Sequence, residues 1–153
     1  MLPFNDFLQV VRDAPLVSID LIVENEAGQY LFGLRQNDPA KGSWFVPGGR
    51  IHKNEPLDAA FARIVQAELG VVYARDRAQW HGLYEHFYES NAGQLPGFGT
   101  HYVVLAHKLK VTAAELCLPD GDQHHAWCWK NRQDIVSDPA MHRHVRDYFV
   151  FAE

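Results

Sequence analysis

Residues 49–71 read GRIHKNEPLDAAFARIVQAELGV, and this stretch constrains the fold more than any other. The Gly48-Gly49 pair at its start permits a tight turn and a close approach of backbone to a ligand. Pro56 suits the first turn of a helix, where its missing N–H costs nothing, and Asp58 suits the positive dipole end. Leu57, Phe61, Ile64, Val65 and Leu69 then recur at helical spacing and predict a buried stripe. Gly70 is placed to end the helix in a left-handed conformation.

The polar residues of the same stretch suggest metal chemistry. Positions four apart share a helix face, so Ile64 lies on the face of Glu68. Only Glu68, with Glu55 entering from the loop, offers a carboxylate there. A carbonyl at the glycine turn adds a third oxygen suited to a hard cation. So small a set supports one Mg2+. Taken singly, each residue has a plainer role: a solvated glutamate, a turn glycine, an ion-pair arginine.

Around this centre the chain predicts mixed α and β structure. Phe4, Phe7, Leu8 and Val11 share one helical face, with Asn5 as the cap. Residues 16–23 read as a strand, 25–28 as a turn and 30–34 as a second strand. Residues 37–43 form a loop and 44–47 a short extended piece. Residues 79–89 and 100–110 read as long strands joined by a glycine-rich loop, and 127–129 as a short strand. Asp138-Pro139 opens a C-terminal helix with Met141, Val145, Tyr148 and Phe149 inward. This order implies an α/β (α+β) fold, an α/β/α sandwich with a mixed sheet, in one domain over 1–153.

Composition removes several function classes. The chain has 153 residues and a formal charge of −5 without a basic cluster, so nucleic acid is not an expected partner. No segment reads as a signal peptide or a membrane span, and a cytoplasmic location is expected. Cys117 and Cys128 form no metal or redox spacing and read as reduced structural thiols. Nine histidines invite a zinc hypothesis, but no Cys/His spacing matches a structural site. His142 and His144, two apart on a predicted helix, do not face each other. His86 and His101 are pocket or packing residues on strands.

The 49–71 stretch resembles the Nudix box, G-x5-E-x7-R-E-U-x-E-E-x-G-U with U aliphatic. It matches at Gly49, Glu55, Arg63, Val65, Glu68, Gly70 and Val71 and departs at Ile64 and Ala67. With these departures the chain resembles the GDP-mannose mannosyl hydrolases, which carry the same altered box. The likeness runs through PLVSIDLIVEN, LFGLR, GSWFVPGGR, AELG, EHFY, THYVVL and LPDGDQHH.

That resemblance implies the Nudix fold, a homodimer and one Mg2+ per subunit. It implies hydrolysis of GDP-mannose, or GDP-glucose, by water attack at the anomeric carbon with inversion. The Mg2+ ligands implied are Gly49 (through its carbonyl), Glu68 and Gln123. His124 would be the general base, and His125 beside it could exchange roles with it. Arg35 and Arg50 would contact the diphosphate, Asp20 the sugar, and Tyr102 the leaving group. Two other functions compete: pyrophosphate cleavage of a nucleoside diphosphate derivative at phosphorus, and a non-catalytic Nudix-fold binding module.

Overall fold

A computed structural model describes residues 2–119 and 124–150, with the side chains of His124 and His125 excepted. Its centre is β1 (Leu16–Glu24), a run buried along nearly its whole length. Such a run belongs to a strand covered on both faces. Ile19, Leu21 and Val23 pack with Phe61, Ile64, Val65 and Leu69 of α2 (Leu57–Leu69). Ile22 faces the other way. It packs with Ile135 of α3 (Arg132–Ser137) and with Val145, Tyr148 and Phe149 of α4 (Arg143–Val150). The period-two alternation of one strand thus feeds two cores, which makes the architecture an α/β/α sandwich.

The remaining strands are β2 (Tyr30–Arg35), β3 (Trp44–Phe45), β4 (Gly48–Arg50), β5 (Gln79–Tyr88), β6 (Thr100–Lys110) and β7 (His124–Lys130). The sheet runs β3-β2-β1-β6-β5, with β4 also on β1 and β7 also on β2. It is mixed: β1 and β6 are parallel, while the other pairs are antiparallel. β1 changes partners along its length. Glu24 is in register with Tyr30 of β2, but Ser18, Ile19 and Asp20 are opposite β4. The strands around this exchange supply much of the lining of a large cleft.

The glycines of α2 and β4 behave as their chemistry requires. Gly70 caps α2 with φ at 69°, a conformation costly for residues with a side chain. A β-carbon on Gly48 would lie 2.7 Å from the Ile19 carbonyl oxygen, too close for any larger residue.

Several local expectations need correction. Pro3, not Asn5, occupies the N-cap of α1 (Phe4–Asp13), and Phe4 is exposed while Leu8 and Val11 are buried. Leu57 is also exposed, and Ala60 takes its place in the buried stripe of α2. Being at the first turn, Leu57 has not yet reached the sheet. The C-terminal segment is two short helices. Asn131 caps α3, its side chain accepting from the Asp134 N–H at 2.9 Å, and Asp138-Pro139 lies between α3 and α4.

Candidate active site

The cleft has a volume of about 790 Å³ and draws its walls from most of the sheet. Asp20 enters from β1, Arg35 from β2, Gly48, Gly49 and Arg50 from β4, Glu68 from α2, and Tyr102 from β6. Six of the residues singled out in the sequence therefore converge: Asp20, Arg35, Gly49, Arg50, Glu68 and Tyr102. They are spread over more than eighty positions of the chain and meet only through the fold. Gln123 lies outside the described residues, as do the side chains of His124 and His125. The His124 backbone is in β7, in register with Arg35.

Glu68 is fastened to the glycine turn. Its Oε1 accepts from the Gly48 N–H at 3.2 Å, which ties the end of α2 to the start of β4. Ile64, one helical turn earlier, is almost wholly buried. A β-carbon on Gly49 would sit 3.0 Å from its Cγ1, so glycine is what permits this packing.

Glu55 does not enter the cleft as a free carboxylate. Arg63 Nε and one Nη hold it at 2.7 and 2.9 Å, and the His52 N–H donates to it at 3.0 Å. The Arg63 hydrogen bonds, followed by the His52 N–H and opposed by desolvation, keep the Glu55 carboxyl at about 2. The same arginine donates to the Arg50 carbonyl at 2.8 Å. Glu55 and Arg63 thus lace the 50–55 loop onto α2.

The arginines are also aimed. Arg35 Nε donates to the Pro39 carbonyl at 2.9 Å, which ties it to the 37–43 loop. The Arg50 guanidinium lies 4.7 Å from the ring centroid of Phe7, a cation–π distance. Phe4 and Phe7 of α1 line the cleft beside it. Their helical spacing in the sequence suggested only a packing face.

Asp20 is the most perturbed acid of the site. Burial raises its carboxyl to about 7, with Glu68 adding repulsion. The hydrogen bond from Tyr148 and the charge of Arg35 oppose that rise. Burial also raises the Tyr102 phenol. Behind Asp20 lies an aromatic cluster. His86 and His144 stack at 4.4 Å, and His142 lies 4.9 Å from His144. The last two do face each other, because His142 precedes α4 rather than belonging to it. Desolvation and the neighbouring histidines hold His86 at about 3 and His142 at about 4, so both are neutral at physiological pH.

The site residues suit a hard cation in small number. Glu68 and the Gly49 carbonyl are oxygen donors, as such an ion requires. Among the described residues no three His, Cys, Asp or Glu side chains gather as a metal cluster.

The NUDIX domain model matches residues 14–151. The chain belongs to the Nudix family. Its α/β/α sandwich is the Nudix fold, and it is a Nudix hydrolase, a class that generally uses a divalent metal. It is similar to the low-salt glycan biosynthesis protein Agl8 of Haloferax volcanii, at 40% identity over 110 residues, 71% of this chain and 67% of that protein. Among solved structures it is similar to a MutT Nudix hydrolase from Burkholderia pseudomallei, with a TM-score of 0.70 at 24% identity, covering 90% and 97% of the two chains. The Nudix domain of Shewanella oneidensis NrtR, solved with ADP-ribose, matches with a TM-score of 0.64 at 16% identity, covering 96% and 95%. These structural likenesses concern the fold. In the Nudix box of this chain, Ile64 is core and Ala67 is exposed at the edge of the cleft.

Proposed function

We propose that this Nudix chain hydrolyses a GDP-hexose, GDP-mannose or GDP-glucose, at the anomeric carbon, releasing GDP and free hexose with inversion. The observation that carries the reading is the scarcity of carboxylates facing the cleft at the box. Ile64 is buried under Gly49, Ala67 carries no acid, and Glu55 is bound by Arg63, so Glu68 is the box acid left facing the cleft. A carboxylate cluster that holds several metals favours attack at phosphorus, by activating water and neutralising the phosphates together, and the small set here favours attack at carbon instead.

In this reading Gly49, Glu68 and Gln123 hold one Mg2+, which supplies charge neutralisation for the diphosphate. Arg35 and Arg50 bind the phosphates and stabilise leaving-group charge. Tyr102 supports the departing GDP, and Asp20 binds the sugar. A nucleoside diphosphate leaves without needing a proton, so one base on the opposite face of the ring suffices, as in inverting glycoside hydrolysis. His124 serves as that base, next to Arg35 in the sheet. Imidazole is the side chain whose ordinary titration lies nearest neutrality, which suits a general base.

The likeness to Agl8, a glycan biosynthesis protein, supports a nucleotide-sugar substrate. The unit acts as a single domain over 1–153 and as a homodimer in the cytoplasm. Among the described residues no helix is long and apolar enough to cross a membrane. Product analysis tests the reading: 31P NMR after incubation with GDP-mannose and Mg2+ should show GDP alone. GMP with mannose 1-phosphate would indicate cleavage at phosphorus, and no turnover would indicate a binding module.

A further inference from the structure

Tyr148 of α4 is fully buried, yet its hydroxyl reaches two groups of the cleft wall. It donates to Asp20 Oδ2, and its oxygen lies 3.2 Å from His86 Nε2. A phenol has one proton. Once that proton is given to Asp20, the second contact must be donated by the imidazole. His86 is therefore the Nε2–H tautomer, and its Nδ1 is an acceptor. The Tyr88 hydroxyl lies 3.5 Å from that Nδ1 and donates toward it. The result is a line of hydrogen bonds with one direction, from Tyr88 through His86 and Tyr148 to Asp20.

Asp20 is held on its other side as well. Its Oδ1 crowds the position that a side chain on Gly48 would occupy, so the carboxylate lies between α4 and the glycine turn. Tyr84 packs edge-on against the Tyr148 ring, with centroids 4.6 Å apart, and fixes that ring in turn.

We propose that Tyr148 is a positioning residue which orders Asp20 and His86 so that this wall of the cleft presents hydrogen-bond acceptors to the hydroxyls of a hexose. Asp20, His86 and Tyr88 line the cleft, while Tyr148 stands behind them. With the direction of the line fixed, the Tyr88 oxygen is an acceptor, and so is Asp20 Oδ1 whenever Asp20 is ionised. Two acceptors lining one cleft match a ligand with several O–H donors. Phosphate oxygens, which carry no such donors, are matched instead by the cations Arg35 and Arg50.

The inference rests on the GDP-hexose reading for its ligand but not for its geometry, and the two are tested separately. Long-range 1H–15N spectra of the free, full-length chain report the His86 tautomer without any substrate. The Nε2–H form is expected, and a Nδ1–H form or an imidazolium at pH 7 would overturn the arrangement. Tyr148→Phe keeps the ring and removes the hydroxyl. It should weaken GDP-mannose binding roughly tenfold, the size of one lost hydrogen bond, and leave GDP binding unchanged. Equal weakening of both ligands, or of neither, would overturn the positioning role. If the unaltered chain bound GDP-mannose no better than GDP, the substrate reading would fail while the tautomer result stood.

Discussion

Ile64 lies directly beneath Gly49, with its Cγ1 3.0 Å from where a β-carbon would stand. The aliphatic side chain fills the space between helix and turn, and it is 1% exposed. A carboxylate in that position would be buried without a counter-charge. Ile64→Glu should therefore lower stability by about 3–5 kcal/mol. Ala67→Glu, at an exposed position on the same helix, should change it by no more than about 0.5 kcal/mol. Urea titration of both variants checks the contrast, and equal costs would contradict the placement of Ile64.

Glu55 gives a prediction about acid stability. Its folded value, about 2, is below the ~4.3 of an unfolded glutamate. A depressed folded value contributes stability above the unfolded one, and that contribution is lost as pH falls toward the folded one. The stability gap between the natural chain and Glu55→Gln should be constant above pH ~5 and close between pH ~4.5 and ~2. Denaturation series at stepped pH measure it; a gap independent of pH would contradict the Arg63 pairing.

These two residues also show how far the sequence could be read. The box helix, its glycine cap and the long strands follow from local periodicity and turn chemistry, and they are present. What spacing could not show was whom each polar side chain would meet. Glu55 and Arg63 are eight apart, and only the folded loop brings them together. Tyr148 reads as core because aromatic residues at helical spacing usually are, and it is buried. Its bond to Asp20, 128 positions away, depends on where α4 lands on the sheet. Phe4 and Phe7 share a helical face, but the end of α1 reaches past the core to the cleft. Leu57 failed for the opposite reason, since a helix's first turn can project beyond the sheet it covers.

Glu68 tests the metal assignment. Glu68→Gln keeps the shape and the acceptor toward the Gly48 N–H but removes the charge. The Mg2+ concentration needed for half-maximal turnover should rise by more than about tenfold, in line with the loss of an anionic oxygen ligand. An unchanged Mg2+ requirement would contradict the ligand set.

For the base, His124→Gln should reduce kcat by about 10²–10⁴-fold, the usual contribution of a positioned general base. Mg2+ affinity should stay the same. Near-normal turnover, with a large loss in His125→Gln instead, would assign the role to the neighbouring histidine.

The central claim concerns which bond is broken. Hydrolysis of GDP-mannose in 18O-labelled water, with mass spectrometry of both products, locates the oxygen that attacked. Attack at carbon puts the label in the free hexose and none in the nucleotide. Label in a phosphate product would contradict the account.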